Sequence, residues 1–204
     1  MKANVYIDGF NLYYGALKGT PCRWLDVGKL CSLLLPGDTI HRIRYYTAYV
    51  QSRPGDPGQQ GRQRVYLRAL RTTPNLSIHF GHFLAHPVSM PLASKPTQMV
   101  KVIKTEEKGS DVNLASHLLM DGFRGDFDIG VVVSNDSDLL EPIRIVKTEI
   151  GKPVGILNPH RKPSVELRKE AKFMKPIRAG LLAACQFPAL MQDASGTFKK
   201  PSSW

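Results

Sequence analysis

Short apolar runs and longer amphipathic ones take turns along the chain, and their periods predict its elements. Ala3 to Asp8 reads as a short strand, followed by a helical turn from Asn11 to Leu17. Val27 to Leu35 predicts a helix stopped by Pro36-Gly37. Arg42 to Val50, rich in Tyr and Val, predicts a strand, and Ser52 to Gly61, with two Pro and three Gly, a loop. Gln63 to Arg71 reads as a helix, Leu76 to Leu84 as a strand, Pro87 to Pro96 as a proline-punctuated loop, and Met99 to Thr105 as an alternating strand. Asp111 to Gly122 has a helical apolar face in Val112, Ala115, Leu118 and Leu119. Phe127 to Val133 is continuously apolar, the mark of a central strand buried on both sides. Leu140 to Ile150 predicts a helix, Pro153 to Leu157 a last strand, and Ser164 to Lys172 and Arg178 to Cys185 further helices. The tail from Gln192 reads as polar and frayed. Strands alternating with helices predict an α/β fold with a mainly parallel sheet.

Length adds one boundary. The chain has 204 residues, 42% of them hydrophobic, enough for one substantial core. Residues 1–175 are expected to form the main domain and 176–204 a C-terminal helix and tail. No apolar run approaches the roughly 18 residues of a membrane span, and the apolar start Val5-Tyr6-Ile7 is too short for a secretion signal. A cytoplasmic protein is expected. Cys22, Cys31 and Cys185 form no CxxC pair, and a disulfide or zinc framework is not expected. His79, His82 and His86 lie close in sequence, but strand alternation puts His79 and His82 on opposite faces, against a shared metal.

Charge changes the picture more. The formal net charge is +11, yet nine of the 17 acidic residues lie between Glu106 and Glu141, where the bases are Lys108 and Arg124 alone. Elsewhere bases dominate. Arg53, Arg62, Arg64, Arg68 and Arg71 make one basic stretch, and Arg161, Lys162, Arg168 and Lys169 begin another. Together with Lys108 these are the candidate contacts to a polyanion. No RRM, KH or zinc-knuckle pattern is present to read bases.

Four carboxylates stand where a parallel sheet would gather them. Asp8 ends the first strand, Asp111 opens a helix, and Asp136 and Asp138 follow the central strand. Ligands of such sheets bind beyond the carboxyl ends of the strands. Each acid also has a structural reading: Asp8-Gly9 is a turn pair, and Asp138 with Glu141 has capping-box spacing. Two carboxylates about 4 Å apart repel by roughly 4 kcal/mol at an effective dielectric near 20. A site holding several must therefore bind cations or keep some acids protonated.

Three segments, Ile7-Asp8-Gly9-Phe10-Asn11, Glu107-Lys108-Gly109-Ser110-Asp111 and Ser134-Asn135-Asp136-Ser137-Asp138, resemble in order and spacing the signature blocks of NYN domains, within the PIN-like nuclease superfamily. The resemblance reaches to about Leu157. It implies a three-layer αβα sandwich and a ribonuclease using Mg²⁺ or Mn²⁺, with Asp8, Asp111, Asp136 and Asp138 as metal ligands and Asn11 as an orienting neighbour. Asn135 replaces the family's usual glycine and Leu139 its usual aromatic, without loss of a carboxylate. RNA is the expected partner and endonucleolytic hydrolysis the expected reaction. Two alternatives differ in class. One is a non-catalytic RNA-binding module, which would gain nothing from buried carboxylates. The other is a phosphatase of the haloacid dehalogenase type, which needs a second Asp where this chain has Phe10.

Overall fold

A computed structural model describes residues 1–204. Six strands form one parallel sheet in the order β3-β2-β1-β6-β7-β8. They are β1 (Lys2–Asp8), β2 (Thr39–Thr47), β3 (Leu76–Phe80), β6 (Ile129–Val133), β7 (Val154–Asn158) and β8 (Phe173–Pro176). Two antiparallel ribbons stand outside the sheet: β4 (His82–Leu92) with β5 (Lys95–Lys108), and β9 (Leu190–Asp193) with β10 (Gly196–Lys199). The helices are α1 (Gly9–Leu12, continued by a π turn over Tyr13–Leu17), α2 (Val27–Leu34), α3 (Gln59–Leu70), α4 (Ser110–Phe123), α5 (Leu140–Thr148), α6 (Val165–Glu170) and α7 (Ala179–Ala184). None is long and apolar enough to cross a membrane.

The alternation of side chains along each central strand creates two cores. Val5 and Ile7 of β1, Val131 and Val133 of β6 and Leu157 of β7 join a cluster of 27 buried residues on the α2 and α3 side. Tyr6, Val132, Val154 and Ile156 join a cluster of 12 on the α4 and α5 side. Every residue of β6 and of β7 is buried, as expected of parallel strands covered on both faces. The result is the three-layer αβα sandwich.

The acidic segment fixes one of those layers. Asp121, buried near the end of α4, accepts two hydrogen bonds from Arg44 of β2, both 2.9 Å, and a third from the Tyr6 hydroxyl at 2.9 Å. Asp126 pairs with Arg42 at 3.0 Å and with Lys2 at 3.6 Å. These acids pin α4 and its exit to the sheet.

Several expectations need correction. The Leu76 to Leu84 strand is interrupted at Gly81, where the chain leaves the sheet and enters the ribbon. Pro87 to Pro96 is no loop: Pro87 and Pro91 lie within β4, opposite Ile103 and Met99. A two-stranded ribbon has an open side on each strand, so half of its N–H groups need no ladder partner. Pro87 and Pro91, four residues apart, fall on the same set. The turn is Ala93-Ser94, which lacks the Asn-Gly or Asp-Gly signal of hairpins. β8 lies between the two expected helices, in a stretch for which no strand was expected. Its Lys175 and Pro176 are typical of a sheet edge. The tail is not frayed. Asp193 of β9 takes a bidentate bond from Arg68, both contacts 2.7 Å, and Phe198 of β10 is buried beneath the same guanidinium.

Asp121→Ala would leave Arg44 charged and uncompensated at the sheet. Chemical denaturation should show a loss of about 3–5 kcal/mol. A loss below about 1 kcal/mol would mean that this pair does not hold α4 in place.

Candidate active site

The strand order reverses between β1 and β6: β2 and β3 lie to one side, β7 and β8 to the other. In open α/β sheets, ligand sites form at such a switch point, beyond the carboxyl ends of the strands. Here Asp8 ends β1, and Ser134 to Asp138 follow β6, whose Val133 lies in register with Ile7. The pairing of β1 with β6 thus sets the two segments side by side.

Hydrogen bonds then lock them. Asp8 Oδ1 accepts from Asn11 N at 2.9 Å, capping α1, and its Oδ2 accepts from the Ser134 hydroxyl at 3.1 Å. The same Ser134 oxygen accepts from Asp136 N at 3.1 Å. Asn11 Oδ1 accepts from Asn135 N at 2.9 Å. Asp136 Oδ1 accepts from Asp138 N at 3.0 Å, capping the 3₁₀ turn over Ser137–Leu139. The cap of this turn is therefore Asp136, not the expected Asp138 with Glu141. Structural and chemical roles coexist in Asp8 and Asp136, because capping uses only part of each carboxylate.

The third segment arrives along β5. Glu107 caps α4, accepting from Ser110 N at 3.1 Å and from the Ser110 hydroxyl at 2.6 Å. Between them Gly109 has φ 97°, a left-handed conformation that favours glycine. Asp111 follows in the first turn of α4. Asp8, Asn11, Glu107, Asp111 and Asp136 all line one open cavity of about 580 Å³. Asp138 is exposed and lies outside that lining, but its charge reaches Asp111.

Electrostatics bear out the crowding. The Asp8 carboxyl is pushed up from 3.8 to about 6, first by burial, with the charges of Asp111 and Asp136 adding. The hydrogen bonds from Asn11 and Ser134 oppose this rise. Asp111 is raised as well, by desolvation and then by Asp136, Glu107 and Asp138. No three His, Cys, Asp or Glu side chains stand close enough to hold a metal ion as they are.

Two cavity residues were not anticipated, His160 and Glu107. His160 lines the cavity with its Nε2 buried and without a hydrogen-bond partner. Its ring lies against Gly15, where a Cβ would meet the ring at 2.6 Å. Asn158 holds its backbone on both sides, at 2.9 Å each. The loop that carries it is tied down by Asn135, whose Nδ2 donates to Lys162 O at 3.1 Å and whose Oδ1 accepts from Ser164 N at 2.7 Å. A glycine at 135 would supply neither bond, so this departure from the family pattern has a local structural role. His160 had no signal beyond its position after the β7 strand. Glu107 was visible within the second motif but was not singled out.

The basic residues divide. Arg53 lines the cavity, whereas Arg161 and Lys162, exposed and next to His160 on the pinned loop, are outside its lining. Lys108 adjoins Glu107, with its ammonium 3.4 Å from Glu106. Arg62 is ion-paired with Asp56, and Arg68 with Asp193. Arg64 lies over the Tyr49 ring, 5.9 Å from its centre. Arg71 follows the far end of α3, beside residues lining a cavity of about 670 Å³ at the opposite edge of the sheet. Arg168 is exposed on α6, and Lys169 pairs there with Glu166 at 3.1 Å.

The family model of the NYN domain matches residues 2–178. The chain belongs to the NYN domain family, within the PIN-like nuclease superfamily. This NYN chain is also 29% identical, over 237 residues, to 6-hydroxy-3-succinoylpyridine 3-monooxygenase HspA of Pseudomonas putida, covering 100% of this chain and 75% of that one. Its fold is similar to the crystal structure of a Vibrio parahaemolyticus protein of unknown function, with a TM-score of 0.58 at 17% identity, covering 87% of this chain and 93% of that chain.

The raised Asp8 pKa has a sign that can be tested with metal chelated. A folded-state value of about 6 against 3.8 means that ionised Asp8 opposes folding. Its contribution to stability is full below about pH 4 and is lost as pH rises through 6, by about 3 kcal/mol. Asp8→Asn should therefore melt higher than the parent near neutral pH in chelator, with the difference vanishing near pH 4. A variant that melts lower near neutral pH would mean that the carboxylate's hydrogen bonds outweigh its burial.

Proposed function

We propose that this protein is a ribonuclease that hydrolyses phosphodiester bonds within an RNA strand with the help of Mg²⁺ or Mn²⁺. The observation that carries this reading is the meeting of Asp8, Asp111 and Asp136 on one open cavity at the switch point of the sheet. Burial raises the pKa values of Asp8 and Asp111, and the neighbouring carboxylates, Asp136 among them, raise both further. Such a site is costly to a protein that only binds polyanions, and useful to one that brings a cation to a phosphate.

The donor set suits a hard divalent cation, being made of carboxylate oxygens. Mg²⁺ commonly takes one or two carboxylates and keeps several waters, which fits carboxylates spaced around an open cavity rather than packed into a closed nest. Asp8, Asp111 and Asp136 would hold the ion, with Asp138 adding negative potential from outside. The chemistry such an ion supplies is activation of water near neutral pH and stabilisation of charge on the phosphate.

The remaining roles belong to the chain itself. Asn11 holds the Asn135 backbone, and through it the Asp136 segment, in register with β1. Arg53, Arg161, Lys162 and Lys108 would bind phosphates on either side of the scissile bond. His160 lines the cavity beside them, with its Nε2 buried against Gly15.

Asp136→Asn is the decisive variant. The amide keeps the size and the cap to Asp138 N but removes the charge. Incubated with diverse RNAs in Mn²⁺, the parent should cleave and the variant should not, while the variant still binds RNA with steep salt dependence. Equal cleavage by both would remove Asp136 from the site. Tight binding without cleavage by the parent would identify a non-catalytic RNA-binding module. Oxygenation of 6-hydroxy-3-succinoylpyridine, with RNA left intact, would favour the activity named for the Pseudomonas relative.

A further inference from the structure

A second, smaller cavity of about 110 Å³ adjoins the carboxylate site. The two are continuous: Phe10, Tyr14, Val50 and Gln59 line both. The walls of the smaller one differ in kind. They contain no carboxylate of the catalytic group, but carry Tyr13, Tyr45, Tyr66 and Trp204 together with the guanidinium groups of Arg23 and Arg62.

Three observations point to a ligand. First, the volume is well under the ~300–1,000 Å³ of a site that encloses a whole small molecule, and it suits one planar ring whose remainder lies outside. Second, Tyr14 stands at the shared wall with 54% of its surface exposed. It is steadied by the edge of Tyr13, with ring centres 5.3 Å apart, and has the Lys18 ammonium 5.0 Å from its own ring centre. A half-exposed aromatic beside a cation is a stacking platform for an anionic ligand's ring. Third, Arg62 keeps its Nε buried and without an acceptor, although the end of its guanidinium is paired with Asp56. Arg62 and Arg23 both line this cavity and give its wall two cationic groups that a ring's polar edge could face.

We propose that this cavity is a nucleobase subsite. It takes the base of a nucleotide adjoining the phosphate held at the carboxylates, stacked on Tyr14 and with its polar edge toward Arg62. The proposal rests on reading the neighbouring cavity as an RNA-cleaving site. It adds a source of base preference that the sequence, which carries no recognised base-reading motif, does not announce.

The test is equilibrium binding in chelator, so that no cleavage intervenes, using the full chain with Asp136→Asn as the background. The probes are nucleoside 5′-monophosphates and ribose 5-phosphate, followed by tryptophan fluorescence and calorimetry. The nucleotide should bind at least about tenfold more tightly than the sugar phosphate, the size of one stacked base. Tyr14→Ala should bring nucleotide affinity down to the sugar phosphate level, and Tyr14→Phe, which keeps the ring, should preserve it. Ribose 5-phosphate binding as tightly as the nucleotide, no nucleotide binding at all, or unchanged affinity in a folded Tyr14→Ala would each overturn the subsite. The two readings fail separately. RNA left uncut by the parent protein while Tyr14-dependent nucleotide binding persists sinks the nuclease and keeps the base pocket. RNA cleavage by the parent with Tyr14→Ala binding nucleotide as before does the reverse.

Discussion

The Ser134 hydroxyl, buried between two acids, holds the site together. It donates to Asp8 at the end of β1 and accepts from the backbone of Asp136 beyond β6. One small side chain thus ties the ends of two strands that lie 126 residues apart in sequence. The constraint works only because β1 and β6 are direct parallel neighbours with Ile7 opposite Val133. That pairing in turn depends on two cores, one on each face, that admit nothing but apolar side chains along β6. Burial fixes the strands, the strands fix the hydroxyl, and the hydroxyl brings like charges together. The cost appears in the raised pKa of Asp8, and a bound cation would relieve it.

The central layer of this fold was legible in the sequence because its signals are local. Continuous apolar runs at Ile129–Val133 and Val154–Leu157 can hardly be anything but buried strands, and the helical face of Ser110–Phe123 is regular. The carboxylates were legible too, since Asp8 and Asp136 sit at strand ends and three motifs recur in family order. What escaped notice depends on partners distant in sequence. The β4–β5 ribbon holds two prolines and turns at Ala-Ser, so neither its strands nor its turn shows its usual sign. The tail reads as polar, yet it is held by Arg68, a residue 125 positions away. That same contact means that a basic stretch is not a uniform phosphate track: Arg62 and Arg68 spend their charge inside the protein.

The acidic segment teaches a related lesson. Its nine carboxylates suggested one charged site, but Asp121 and Asp126 anchor α4 to the basic face of β1 and β2. Only Glu107, Asp111 and Asp136 from that segment join Asp8 at the cavity, with Asp138 just outside. The anchoring acids still matter to the chemistry, because they hold the helix whose first turn carries Asp111. Asn135 shows the opposite relation. Its departure from the family glycine is read from sequence as a neutral change, whereas in the fold it ties the loop of His160, Arg161 and Lys162 against the carboxylates.

Asp8, Asp111 and their acidic neighbours form one electrostatic unit, to which we propose that a divalent cation binds. Calorimetric titration with Mn²⁺ near pH 6, in two buffers of different ionisation enthalpy, tests it most directly. The ion should bind, and the heats should differ between buffers in the sense of proton release, because Asp8 is part-protonated at that pH and must ionise to act as a ligand. Asp111→Asn should weaken the binding. Absence of Mn²⁺ binding, or binding with no proton released and no sensitivity to Asp111, would contradict the account.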